Sequence, residues 1–175
     1  MWEVKIPLDH ICVKTGVLCP RCQRLVDTGA VQRFEIDVMR ALLEVESRVD
    51  FRFLKDASYV KSFNIDNVLV LLIELRESNI HSRTLAKLGR ALAEKLGRRV
   101  RVVNVAHGNL RDIASQLIYP ARVIGVNTLW LPDGTIEHIV RIPRSDRRYL
   151  PLNTLIIENI LSQITGMNVR IRVEG

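Results

Sequence analysis

The sequence predicts an α+β chain: two copies of one small module behind a cysteine-rich segment. Three observations predict it. Leu92-Ala93-Glu94-Lys95-Leu96-Gly97 runs into Arg98-Arg99-Val100-Arg101-Val102-Val103, and Leu161-Ser162-Gln163-Ile164-Thr165-Gly166 runs into Met167-Asn168-Val169-Arg170-Ile171-Arg172-Val173. Each reads as an amphipathic helix, a glycine stop and a short basic strand, and such self-similarity is the mark of a duplicated unit. The same order of elements precedes both: helix, strand, strand, helix, strand. Residues 1–30 stand apart, holding all three cysteines with Pro7, Pro20, Gly16 and Gly29 and no helical period.

After that segment, Phe34, Val38, Ala41, Leu42 and Val45 recur at helical spacing and predict a helix over 31–48. Phe51-Arg52-Phe53-Leu54 starts a strand that continues through Phe63. Val68 to Leu75 is apolar and β-branched, the pattern of a strand buried on both faces. Leu85, Leu88, Leu92 and Leu96 mark a helix ended by Gly97, and 99–105 closes the first module. In the second, Leu110, Ile113, Ala114 and Leu117 make a short helix stopped by Pro120. Arg122 to Leu131 is a strand, Pro132-Asp133-Gly134 a turn, and Thr135 to Ile142 the return. Residues 143–151 form an arginine-rich loop. Leu155 to Ile164 give the last helix and 167–173 the last strand. Trp130 alternates with Ile124, Val126 and Thr128, which predicts packing in a core or between the modules rather than stacking on a base. Trp2 is expected to pin the N-terminus.

The 175 residues are 47% hydrophobic, enough for a real core. The longest apolar run, Val68 to Ile73, is too short to cross a bilayer. No export signal opens the chain, so a cytoplasmic protein without membrane contact is expected. The net charge is +7, with 20 arginines against 6 lysines. Arginine forks pair bidentately with phosphate and stack on bases, so the balance favours a polyanionic partner. Three cysteines in such a chain argue for a metal or structural thiols rather than disulfides.

The thiols follow His10-x-Cys12-x6-Cys19-x2-Cys22. Both thiolates of Cys19-Pro20-Arg21-Cys22 can reach one tetrahedral ion, and Cys12 returns across the turn at Thr15-Gly16. A closed site needs a fourth ligand. His10 or Asp9 can supply it, and the set His10, Cys12, Cys19 and Cys22 is expected to hold one structural zinc. The alternative is that the thiols are small buried apolar groups.

Several stretches carry a resemblance. They are Thr15-Gly16-Val17-Leu18-Cys19-Pro20-Arg21-Cys22, Asp37-Val38-Met39-Arg40-Ala41-Leu42-Leu43-Glu44, Pro120 through Gly134, and Arg141-Ile142-Pro143 with Asp146-Arg147-Arg148. On these the chain resembles the archaeal NusA-like proteins, small factors with two KH modules behind a cysteine-rich knuckle. The resemblance implies a knuckle at 1–30 and KH-like modules of the prokaryotic type II at 31–106 and 107–175. It also implies a role in transcription elongation or termination, with single-stranded nascent RNA and RNA polymerase as partners. The sequence departs from the pattern twice. Asp9 stands where the family knuckle has its first cysteine. The glycine loop that clamps RNA falls at Arg83-Thr84-Leu85-Ala86 and Leu152-Asn153-Thr154-Leu155, without glycine in either. RNA contact then rests on charge: Arg83, Lys87, Arg90, Arg98, Arg99 and Arg101 near the first loop, and Arg141, Arg144, Arg147 and Arg148 near the second. A scaffold for polymerase or ribosomal proteins, its modules no longer touching RNA, is the rival. No triad, P-loop or carboxylate dyad is visible, so neither catalysis nor a small-molecule substrate is expected.

Overall fold

Residues 3–77, 79–106 and 108–175 are described by a computed structural model. Trp2 lies outside them, as does His107 at the start of the second module. The chain is mixed α+β and forms two units, Met1–Ala106 and His107–Gly175. Among the described residues no helix is long and apolar enough to cross a membrane.

The first unit begins with α1 (His10–Thr15) and α2 (Pro20–Asp27), followed by α3 (Arg33–Val45). No helix was expected before residue 31. Gly16 and Pro20 cut α1 and α2 to six and eight residues, and only Cys12, Val13 and Cys22 are buried on them. Three buried positions are too few to print a period. An eight-residue 3-10 stretch, Val49–Asp56, kinked at Phe51, takes the place of the strand expected from Phe51. Phe51 and Leu54 are both buried there, and spacing by three is the 3-10 repeat. Phe53 sits edge-on to Phe51 at 6.3 Å between centroids.

The sheet follows: β1 (Ser58–Ile65), β2 (Val68–Glu74), α4 (Ser82–Leu96) and β3 (Arg99–Asn104). β2 is central, antiparallel to β1 and parallel to β3. Every residue from Val68 to Ile73 is buried, as the apolar run predicts. α4 packs close to β3. A Cβ built on Gly89 would lie 2.6 Å from the Val100 carbonyl oxygen, so only glycine permits the approach. The cysteine-rich segment belongs to this unit's core: Cys12, Val13 and Cys22 join Val38, Met39 and Leu42 in one buried cluster.

One buried carboxylate ties α3 to β1. Glu35 is 3% exposed. Its Oε1 accepts from Tyr59 Oη at 2.7 Å and from the Ser62 N–H at 3.0 Å, and its Oε2 accepts from the Gln32 N–H at 2.7 Å. Burial pushes the Tyr59 phenol well above its ordinary range, so it stays a neutral donor. The N-terminal segment lies along β1, with Lys5 N–H on Ala57 O and Tyr59 N–H on Lys5 O. Buried Glu46 receives the Val4 N–H at 2.9 Å.

The second unit repeats the order with α5 (Leu110–Ile118), β4 (Gly125–Trp130), β5 (Ile136–Pro143), α6 (Thr154–Thr165) and β6 (Val169–Glu174). Its sheet is again mixed, with β5 central, antiparallel to β4 and parallel to β6. Gly97 and Gly166 close α4 and α6 with φ of 69° and 71°, so the duplication holds at both C-termini. β4 starts at Gly125 rather than Arg122, because Arg122 is tied elsewhere. The expected loop at 143–151 contains a 3-10 helix, Arg144–Tyr149. Both departures have one cause. Asp146 accepts from the Arg122 N–H at 2.9 Å, from Nε at 2.9 Å and from Nη2 at 3.2 Å. The Arg122 guanidinium holds the Asp146 carboxyl down at about 2.

Trp130 is not in a core; it is 72% exposed. It does share a face with Val126 and Thr128. The register pairs Val126 with buried Val140 but Trp130 with Ile136, at the hairpin end of the sheet. Alternation assigns a residue to a face, not to the part of the face that helices cover.

Candidate functional site

The cysteine site is built where the starts of two short helices come together. Asp9 is the residue before α1, Cys12 lies within it, Cys19 caps α2 and Cys22 is in its first turn. One ligand atom from each of Asp9, Cys12, Cys19 and Cys22 lies within 4.8 Å of all the others. Each sulfur accepts one backbone N–H: Cys12 Sγ from Cys19 at 3.3 Å, Cys19 Sγ from Cys22 at 3.5 Å, and Cys22 Sγ from Asp9 at 3.3 Å. Two thiols converge on one carboxylate oxygen, Asp9 Oδ2, Cys19 Sγ at 3.2 Å and Cys22 Sγ at 3.6 Å. The Cys19 N–H holds the Cys12 thiol below its ordinary range, while burial pushes Cys22 up to about 11.

The donors are close enough to bind one metal ion. Thiolates about 2.3 Å from a tetrahedral ion stand roughly 3.8 Å apart, which fits the 4.8 Å limit of this group. Binding would replace the thiol protons by bonds to the same atoms. The three cysteines are the expected ones; the fourth donor is Asp9 and not His10. His10 Nε2 hydrogen-bonds Val4 O at 3.0 Å and lies 3.5 Å from Glu3 Oε2, so the ring serves the N-terminal segment. A signal for Asp9 was present. Asp9-x2-Cys12 repeats the spacing of Cys19-x2-Cys22. Arg21 Nη2 reaches Asp9 Oδ1 at 3.4 Å and Pro7 O at 3.3 Å, which steadies the carboxylate.

The expected basic cluster of the first unit is not one surface. Leu85, Leu88, Gly89 and Leu92 pack α4 inward, which puts exposed Arg83, Lys87 and Arg90 on its outer face at i, i+4 and i+7. Val100 and Val102 of β3 join the core under α4, so Arg99 and Arg101 point to the opposite face of the sheet. Some of these cations are engaged. Lys87 Nζ is 3.3 Å from Asp50, and Arg98 bonds Asn64 Oδ1 and the Asp66 carbonyl, bracing the β1–β2 turn. Burial lowers the pKa of Arg101, and neighbouring Arg99 adds to the effect. Arg83 and Arg90 have no carboxylate partner among the described residues.

In the second unit Arg144, Arg147 and Arg148 are exposed on the 3-10 helix, and the Arg148 guanidinium lies 4.8 Å over the Tyr149 ring. Arg141 is spent on Glu174, with Nε at 3.0 Å and Nη2 at 2.8 Å. The two glycine-less loop positions prove to be helix starts. Arg83 to Ala86 are in the first turns of α4, and Asn153 caps α6, its Oδ1 accepting the Leu155 N–H at 2.8 Å.

No protein-family model matches the chain, and no curated protein matches it in sequence. A solved structure described as the crystal structure of APE1850 aligns over 61% of this chain and 79% of its own, at 20% identity and a TM-score of 0.39. That overlap is too loose to transfer fold or function.

Proposed function

We propose that the protein is a non-enzymatic RNA-binding factor with two KH-like modules of the prokaryotic type II and one structural zinc. The observation that carries this is positional. In both units, exposed arginines stand between the second strand and the start of the closing helix: Arg83 at α4, and Arg144, Arg147 and Arg148 before α6. A helix start offers unpaired N–H groups and the positive end of the macrodipole, and arginines beside it add charge that suits phosphate. The order helix, strand, strand, helix, strand, with each central strand parallel to the last, supports the KH-like reading. A nascent transcript at RNA polymerase is the context the resemblance to archaeal NusA-like proteins suggests. Cys12, Cys19, Cys22 and Asp9 would hold the zinc, which would pin the starts of α1 and α2 together within the cysteine-rich segment and perform no chemistry.

The test is binding of a labelled single-stranded RNA pool across a salt series, with single-stranded DNA as control. Replacing Arg83, Lys87 and Arg90 by alanine should flatten the salt slope by about 2 units if all three meet phosphates. Replacing Arg144, Arg147 and Arg148 should do the same, while Arg141→Ala should not. The missing glycines favour a second reading, a scaffold for polymerase or ribosomal proteins. Absence of binding at low salt would select it.

A further inference from the structure

Cys19-Pro20-Arg21-Cys22 opens a helix, with Cys19 as the cap of α2 and Cys22 in its first turn. Residues three apart at a helix start stand about 5 Å apart at Cα, inside the roughly 4.4–6.8 Å that a disulfide spans. The Cys22 N–H points at Cys19 Sγ from 3.5 Å, so the first sulfur already sits over the second residue. Both thiols also converge on Asp9 Oδ2, Cys19 from 3.2 Å and Cys22 from 3.6 Å, which brings the two sulfurs to one side of the helix start. All three cysteines are free thiols.

Exposure separates the three. Cys12 is 6% exposed and Cys22 0%, whereas Cys19 is half-buried beside exposed Pro20 and Arg21. Oxidation follows access, so a small oxidant in solvent meets Cys19 first. Cys22 is the thiol that shares its carboxylate oxygen. Cys12 belongs to the other helix, α1, and its sulfur takes the Cys19 N–H at 3.3 Å instead.

We propose that Cys19 and Cys22 form a dithiol switch that hydrogen peroxide closes and that opposes metal binding at the same cluster. The Cys19 sulfur attacks one peroxide oxygen and the O–O bond breaks. The departing hydroxide takes the thiol proton and leaves as water, and Cys19 becomes a sulfenic acid. The Cys22 sulfur then attacks the Cys19 sulfur. The S–S bond forms, the S–O bond breaks, and the second hydroxide takes the Cys22 proton. In sum two thiols lose two electrons and two protons, and one peroxide becomes two waters. With zinc in place the thiolates carry no protons, so both protons come from solvent. The disulfide removes two of four donors, and Asp9 and Cys12 alone would not keep the ion. The new bond lies within α2, so nothing then pins α1 to α2. A small dithiol reductant reverses the step. Only the release of the ion rests on the zinc reading; closure of the disulfide does not.

The experiment treats the full chain, zinc-loaded and chelator-stripped, with equimolar hydrogen peroxide, then alkylates the remaining thiols and digests with trypsin. Lys14, Arg21 and Arg24 separate the three cysteines into peptides 6–14, 15–21 and 22–24. Peptide 15–21 should be joined to 22–24 while 6–14 is alkylated, and the loaded chain should release one zinc per disulfide. Cys12→Ser should still close. Cys22→Ser should leave Cys19 as a sulfenic acid that dimedone traps; if that variant does not fold, the peptide map of the unmodified chain decides. A bridge through 6–14 would overturn the proposal, as would three alkylated cysteines after peroxide. So would a loaded chain that closes the disulfide and keeps its ion. Failure of the zinc reading shows separately, as a chain that takes up no zinc before any peroxide is added.

Discussion

Gly89 in the first unit and Glu158 in the second occupy the same place once Gly97 and Gly166 are aligned. At Gly89 the helix lies so near β3 that a Cβ would meet a backbone oxygen at 2.6 Å. At Glu158 a long side chain bridges instead, taking the Ile171 N–H at 2.8 Å and approaching Arg170 Nη1 at 3.5 Å. One unit joins helix to sheet by close packing, the other by a polar strut. The same contrast runs through both sheets. β2 is buried from Val68 to Ile73, whereas its counterpart β5 buries only Val140 and Ile142. A shared order of elements thus does not dictate a shared way of filling the core.

The largest way to sharpen the contrast is the proposed zinc at the cysteine cluster, which among the described residues lies in the first unit. Chelation should destabilise that unit by about 4 kcal/mol if free zinc had stood a thousandfold above its dissociation constant. Hydrogen exchange should show α3 and β2 losing protection while β5 and α6 keep theirs. Native mass spectrometry should show one zinc lost per chain; loss of protection in both units alike would sink the idea of a local staple.

A middle-sized effect is expected at the matched pair. Gly89→Ala should cost about 1–3 kcal/mol through overpacking against Val100. Glu158→Ala should cost about 1 kcal/mol, because the Ile171 N–H at an edge strand can turn to water. Denaturant unfolding of both variants checks the order, and a reversal would show that α4 shifts freely over β3.

The smallest effect is confined to acid. Asp146 has its folded pKa at about 2 against an ordinary 3.8, so its contribution to stability is complete above pH 3.8. On acidification the unfolded state takes up the proton first, and stability falls as pH drops from 3.8 to about 2. Melting curves of the wild type and Asp146→Asn across this window should converge as the pH falls. Parallel curves would mean that Arg122 does not hold the carboxylate.

Local rules made much of the molecule legible. The leucine period of α4, the glycines closing α4 and α6, and the all-apolar β2 are signals carried by neighbours in sequence. Phe51 to Leu54 misled because two aromatics and a leucine fit either a strand or a 3-10 turn; burial of Phe51 and Leu54 decided between them. The cysteine spacing named three donors but left His10 and Asp9 open. That choice turned on which side chain the start of α1 directs toward Cys19.

By itself, then, the sequence determined the helix, strand, strand, helix, strand order repeated in both modules, the charge and the cysteine set, since each follows from side-chain type and spacing along the chain. Only the tertiary structure decided that Asp9 faces the thiols, that Arg83 and Arg99 lie on opposite sides of one layer, that Asp146 takes Arg122, and that Trp130 is left in the open. Those outcomes depend on which helix covers which part of a sheet. Coverage is set by contacts between residues far apart in the chain, and periodicity carries no record of them.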